Sequence, residues 1–380
     1  MPDAVIVDAI RTPIGRAGRG SLKTVRADDL AAIPIRELIE RNPGVEFRET
    51  DDVLMGAASG IGEQGYNVGR NAALLAGLDH HVPACTVNRF CASSLMTIRM
   101  ASHAIRAGEG DQYIAAGVEA VSRAGLGAGM MDDAKHPLLD GSDGSLYDVY
   151  IPMGMTAENV AERCHVTREQ QDEWAVISQT RAVQARDSGH FDAEIVPVTV
   201  PAHTDQDKEG NQIDVSEAVV SKDDGPRPGT TIEVLAQLKP AFRPDGTVTA
   251  GNACPLNDGA AAVLVMSEEK AKRLGLEPKA RIIASTVAAI RPEIMGLGPI
   301  PAIQALLKEA GMKIEDIDVV ELNEAFAAQV VPCKEELGIP EEKLNPFGGA
   351  IALGHPFGMT GARIMTTLIN GLRTLDGTYG

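Results

Sequence analysis

Apolar positions along this chain fall into two alternating spacings. From Ala4 to Ile10 (AVIVDAI) the run is nearly continuous and rich in β-branched residues, which predicts a buried strand. From Ile35 to Gly56 (IRELIERNPGVEFRETDDVLMG) an amphipathic helical stretch passes through an acidic loop into a short strand, and Ile303 to Asn323 (IQALLKEAGMKIEDIDVVELN) repeats that order. Ala84 to Val87 reads as a strand, and Leu95 to Ala107 and Ala325 to Val331 read as helices. Alternation of this kind predicts an α/β fold with mostly parallel strands, built from two related halves. Between the halves, from about 121 to 247, the composition changes. That stretch is turn-rich and charged, with a helical run from Thr156 to Ser188 inside it.

Each half continues into an Asn-Xaa-Phe turn, Asn88-Arg89-Phe90 in the first and Asn345-Pro346-Phe347 in the second. The second turn leads to GGAIALGHPFGMTGAR, residues 348–363, where glycines and Pro356 surround His355 with almost no charge nearby. Glycine permits close backbone approach and proline fixes φ, so this segment is built to hold one imidazole still. The same composition also suits a tight turn whose histidine is merely hydrogen-bonded. The first turn leads to Cys91, between a strand and a helix. Free N–H groups and the macrodipole at a helix N-terminus favour a thiolate, which predicts a lowered pKa and a nucleophile. A small buried apolar residue is the competing reading.

With these segments in place the chain resembles the thiolase family of 3-ketoacyl-CoA thiolases and acetyl-CoA acetyltransferases. The matching pieces are AIRTPIG from Ala9, VNRFCASSL around Cys91, MGMTAENVAER from Met153, TAGNACPLNDGAAA from Thr249, Asn323-Glu324-Ala325-Phe326, and GHPFGMTGAR. They keep the family's order from end to end. The resemblance implies a five-layered α-β-α-β-α fold in which two similar βαβαβαββ halves pack their central helices together. It places one half at 1–120 and 248–268, an inserted loop domain covering the CoA site at 121–247, and the other half at 269–380.

The implied chemistry is acyl transfer through a cysteine thioester. By resemblance, Cys91 is the nucleophile, His355 its base and an oxyanion donor, and Asn323 the holder of an oxyanion water. The residues alone also allow Asn323-Glu324 to cap a helix beginning at Ala325. Arg227, in GPRPGTT, resembles the residue beside the CoA adenine. Cys254 falls where many relatives place a serine on the pantetheine arm, and Met155 is the candidate wall of the acyl pocket. Asparagine at 323, where sterol-carrier-type thiolases carry histidine, sides with the ordinary thiolases. In the family a Cys-Xaa-Gly-Gly-Gly turn follows closely on a segment like Asp376 to Gly380, so that turn and its strand are expected beyond Gly380. Cys333, flanked by Pro332 and Lys334, is no counterpart.

Composition narrows the partners. The 380 residues carry a net charge of −18, with 35 basic and 53 acidic side chains, which argues against nucleic acid and anionic membranes and leaves any anionic ligand to be met locally. Five cysteines without metal spacing predict neither a disulfide framework nor a zinc site. The glycines from Gly15 to Gly20 lack the dinucleotide spacing, and the Asp51-Asp52, Asp132-Asp133 and Asp223-Asp224 runs read as solvated turns. No metal or permanently bound cofactor is expected, only CoA and acyl-CoA as substrates. No apolar run approaches a membrane span, and no leader precedes the first strand. The expectation is a cytoplasmic homodimer or homotetramer that can associate with other β-oxidation enzymes. It would catalyse thiolysis of 3-ketoacyl-CoA in fatty-acid oxidation. Alternatives are an acetoacetyl-CoA-forming biosynthetic thiolase and an inactive acyl-CoA-binding protein or partner subunit.

Overall fold

The computed structural model describes residues 2–124, 134–206 and 210–380, so the Asp132-Asp133 run lies outside the described residues. Its principal strands are β1 (Ala4–Arg11), β2 (Asp52–Gly56), β3 (Ala84–Val87), β4 (Gln112–Ala120) and β5 (Asn257–Ser267). The helices that matter for the site are α1 (Ala27–Arg41), α2 (Val68–Leu75), α3 (Ser93–Ala107), α4 (Met153–Cys164), α5 (Arg168–Asp187), α6 (Pro299–Ala310), α7 (Ala327–Leu337) and α8 (Thr360–Thr374).

One seven-stranded sheet dominates, in the order Ala280–Arg281, β1, β5, β4, β2, β3, with Gly15–Arg16 paired to β5. β2 runs parallel to β3 and β4, whereas β5 pairs antiparallel with β1 and β4. The sheet is therefore mixed, because the long insertion returns the chain as β5 against the direction of its neighbours. β1, β4 and β5 are buried at every position, which explains their unbroken apolar runs. One face packs on Leu30, Ile35 and Leu38 of α1 and Val68 and Ala72 of α2. The other packs on Ile98, Ala101 and Ile105 of α3 and Ala362 of α8.

The α3–α8 contact is the centre of the molecule. A Cβ at Gly361 would stand 2.0 Å from the Leu95 amide nitrogen, and the Ser94 hydroxyl accepts from the Ala362 N–H at 2.9 Å. Backbone thus meets backbone between a helix of the first half and a helix of the second.

The second half keeps its helices but forms little ladder. Among the described residues the strand pairing between two segments of that half is one parallel bridge, Val320 with Leu344, and its other pairs go to the first half. The Asp318 and Val319 N–H groups both go to the Tyr379 carbonyl, at 2.8 and 3.3 Å. The two Asn-Xaa-Phe turns also differ, since Phe90 carries the positive φ in the first (46°) and Asn345 in the second (45°).

The helical run through the insertion is broken in two. His165 adopts φ 56°, and Thr167 then starts α5 through a reciprocal capping box with Gln170. Both helices pack on α7, with Ala157 and Trp174 sharing a core with Ala328 and Val330. The insertion is also held to the first strand. Arg11, on β1, pairs with Glu194 at 2.6 Å and with Asp223 at 2.8 Å, all buried, and these carboxylates raise its pKa despite the opposing effect of burial.

Gly361→Ala should lower unfolding stability by about 1–3 kcal/mol, the usual cost of overpacking. Gly44→Ala, where nothing lies within 4 Å of the added methyl, is the control and should leave the denaturant midpoint in place. Equal midpoints for the two variants would deny that the helix contact is tight.

Candidate active site

Cys91 stands just past the end of β3, in a turn that bonds to itself. The Asn88 side chain accepts from the Phe90 N–H at 2.8 Å, and the Ser93 hydroxyl accepts from the Arg89 N–H at 2.8 Å while donating to the Phe90 carbonyl at 2.6 Å. Cys91 itself is half-buried, and α3 begins two residues later. The expected lowering of its pKa is reversed. Burial, with the Glu119 carboxylate adding, pushes the thiol up to about 12 against the opposing effect of its backbone hydrogen bond. A neutral thiol is the resting form.

His355 is 1% exposed, so its surroundings decide its state. Its amide donates to Asn257 Oδ1 at 2.9 Å, and its ring Nδ1 lies 2.7 Å from the Thr360 hydroxyl. Burial, reinforced by the buried Arg363, pushes the imidazole down to about 3. Arg363 in turn reaches Glu321 at only 3.4 Å, and burial pushes that carboxyl up to about 8. A thiol and an imidazole that are both kept uncharged suit a base that takes a proton only as the sulfur attacks.

Asn323 reaches the ring from the other side, its Nδ2 lying 3.3 Å from His355 Nε2. The helix-cap reading of Asn323-Glu324 does not hold, because α7 starts at Ala327 after an extended Phe326 that provides no side-chain cap. Glu324 instead accepts from Trp174 Nε1, the Ser178 hydroxyl, Asn345 Nδ2 and the Ile351 N–H. Those bonds fix the Asn323 turn against α5 and the His355 segment. Asn323 Oδ1 is buried without a protein partner among the described residues, which leaves it as an acceptor for a hydrogen of a ligand or a water.

Glu119 ties the loop after β2 to the His355 segment, and the sequence reading passed over it. It accepts from the Ala58 and Ser59 N–H groups, from Gln64 Nε2 and from the Gly358 N–H, three residues past His355. A lone carboxylate inside the otherwise uncharged strand QYIAAGVEA was the available signal. Asn257 and Thr360 were missed as well, and nothing local distinguished them.

Cys254 lies in the same region. Its amide donates to the Ala325 carbonyl at 2.9 Å, its neighbour Leu256 bridges to His355, and its pKa is raised by burial and then by Cys91. Met155 is half-buried on α4, next to Gly154, which lies against the Phe242 ring. Arg227 is exposed and lies apart, on a groove of about 230 Å³ that Gln179, Val183, Pro228 and Thr230 also line. Cys333 is buried in α7 with its thiol toward the Gly296 carbonyl, a packing role.

Fold and site together define an acyl-transferring α/β enzyme. The chain belongs to the thiolase family: residues 4–269 match the family's N-terminal domain and residues 276–380 its C-terminal domain. It is 49% identical to the beta-ketoadipyl-CoA thiolase of Acinetobacter baylyi, over 100% of this chain and 95% of that protein. It is 45% identical to the 3-ketoacyl-CoA thiolase of Klebsiella pneumoniae over the same shares. The crystal structure of the Bacillus anthracis acetyl-CoA acetyltransferase superposes with a TM-score of 0.86 at 41% identity, covering 99% of this chain and 94% of that one. The thiolase fold expected above is thus the fold, built on one central mixed sheet among the described residues, and the protein is an acyltransferase of the thiolase family.

Alkylation of Cys91 in the resting protein should be slow near pH 7 and climb steadily through pH 9, because a thiol pushed up to about 12 is almost wholly protonated below that. Iodoacetamide labelling followed by peptide mapping reads this. A plateau reached by pH 7 would restore the lowered pKa that the helix terminus alone implies.

Proposed function

We propose that the protein is a 3-ketoacyl-CoA thiolase that transfers an acyl group through Cys91. His355 accepts the Cys91 proton, and the sulfur attacks the 3-keto carbon. Collapse of the adduct breaks the bond between carbons 2 and 3, leaving an acyl-cysteine and expelling an acetyl-CoA enolate. The enolate takes a proton at its α-carbon, a step the family assigns to the cysteine of its Cys-Xaa-Gly-Gly-Gly turn. CoA then attacks the acyl-cysteine and releases the shortened acyl-CoA. His355 Nε2, once protonated, and a water held by Asn323 donate to the developing oxyanion. The observation that carries this reading is the half-buried His355–Asn323 contact, on a segment tied to β4 by Glu119 and to α3, which follows Cys91, by the Ser94–Ala362 bond.

Recognition of CoA rests on a local basic cluster. Burial and the charges of Arg227 and Arg19 all depress the pKa of Arg16, so three guanidinium groups crowd one place on a chain of net charge −18. Asp224 offsets part of that crowding and raises the Arg16 pKa, and the phosphates of CoA would offset the rest. Cys254 is assigned to the pantetheine arm and Met155 to the acyl pocket.

Fatty 3-ketoacyl chains are the proposed substrates. A dicarboxylyl chain is the second reading, supported by the relatives named for beta-ketoadipyl-CoA. Comparison of kcat/KM on 3-oxodecanoyl-CoA, 3-oxoadipyl-CoA and acetoacetyl-CoA separates the two readings and the biosynthetic alternative. Acyl label should appear on Cys91, and His355→Ala should slow its appearance by about 100-fold or more. In the same assay Arg227→Ala should raise the KM for CoA with kcat little changed. Label on Cys254 with Cys91 clean would overturn the scheme.

Among the described residues no helix is long and apolar enough to cross a membrane, and the five free thiols suit a reducing cytoplasm. A homodimer or homotetramer is further inferred from β3. It is an edge strand, and Tyr66 and Phe90 flank it at 98% and 73% exposure. Sedimentation equilibrium should find at least a dimer, and Tyr66→Asp should weaken it. A monomer at micromolar concentration would remove the inference.

A further inference from the structure

We propose that the Thr360 hydroxyl holds His355 in its Nδ1–H tautomer and so presents Nε2 as the lone pair that accepts the Cys91 proton. Thr360 is thereby a positioning residue, acting through the imidazole. The inference rests on the reading of His355 as the base.

A neutral imidazole carries one ring proton, and its two nitrogens take opposite roles. On the Nδ1 side lies Thr360 Oγ1, 2.7 Å away. That hydroxyl has a single proton, and it donates to the Pro356 carbonyl at 2.9 Å, a group with no proton to return. Oγ1 therefore meets Nδ1 as an acceptor, and the ring proton sits on Nδ1. The opposite side agrees independently. Asn323 Nδ2 approaches Nε2 at 3.3 Å, and an amide donor faces a lone pair, never a second N–H.

Every part of this relay is fixed by its neighbours. Thr360 is 1% exposed and opens α8, with its own N–H donating to the same Pro356 carbonyl at 3.0 Å. Gly358, between the two, is tied to Glu119 at 2.8 Å. Proline at 356 leaves that carbonyl beside the histidine without adding a donor of its own. The competing arrangement turns the Asn323 amide end for end and swings the hydroxyl proton to Nδ1. Nε2 would then carry the proton and could not act as the base.

The test is nitrogen NMR of protein labelled at histidine, without substrate, together with acylation kinetics of Thr360→Val and Thr360→Ser. The wild-type His355 should show a pyrrole-like Nδ1 and a pyridine-like Nε2. Thr360→Val, which replaces the hydroxyl by a methyl of similar size, should shift or reverse that signature. It should also slow Cys91 acylation by about 100-fold, with KM for the acyl-CoA changed by less than about threefold. Thr360→Ser should restore both. A pyrrole-like Nε2 in the wild type would overturn the proposal, and so would a valine variant with unchanged tautomer and rate. A serine variant as slow as the valine variant would do the same. Because the spectrum is read on resting protein, a failure of His355 to act as the base would show in the kinetics while leaving the tautomer assignment standing. If Thr360→Val does not fold, the wild-type spectrum and the serine variant still decide.

Discussion

The first turns of α3 and α8 touch backbone to backbone, and the placement of both catalytic turns depends on that contact. Leu95 lies against Gly361 with no room for a Cβ, Gly56 lies against Ser94, and Gly117 against the Gly358 carbonyl. Each omission of a side chain brings one more piece of main chain close to the helix that follows Cys91 or to the segment that carries His355. Close packing of this kind transmits sub-ångström shifts, because interiors have almost no slack. Two residues 264 positions apart in the chain can then form one site with rigid geometry, the difference between His355 and Cys91 in the numbering.

Around that contact two buried carboxylates are answered by several donors each, whereas Asn323 Oδ1 and Glu321 Oε1 have no protein partner among the described residues. Glu119 and Glu324 each collect several donors, and each ties a catalytic turn to the elements beside it. Such carboxylates are costly to bury and costlier to break, so they act as geometric pins more than as net sources of stability. The same dry surroundings suppress charge on the reacting groups, raising the pKa of Cys91 and lowering that of His355. A protonated thiol and a neutral imidazole are the resting forms those surroundings favour.

The insertion is part of this arrangement instead of a lid hung on a linker. Its helices share a core with α7, and Asp223 and Glu194 clamp Arg11 from the first strand. The same stretch carries Arg227 next to Asp223 and Asp224, so the clamp that anchors the insertion also sets where its cationic edge stands relative to Arg16. The overall negative charge thus coexists with a cationic spot around Arg16.

Local sequence determined the elements and their order. The apolar run of Ala4 to Ile10, the helical spacing after Cys91 and the glycines around His355 each encode a local conformation through side-chain period or φ, and β1, β3 and α3 follow them closely. The motifs around Cys91, Asn323 and His355, with the matched order of segments, were enough to name the family. Tertiary structure decided what those motifs experience. The fall in the Cys91 pKa expected from a helix end became a rise, because burial and Glu119, 28 residues on, outweigh the turn's own amide. Asn323 turned from a helix cap into a partner of His355, since α7 begins four residues later and Glu324 is drawn to Trp174 and Ser178. Sheet direction and the tautomer of His355 also lay outside local reach. Each depends on hydrogen bonds whose partners only the folded chain brings together, and no spacing along the sequence states where a distant donor will point.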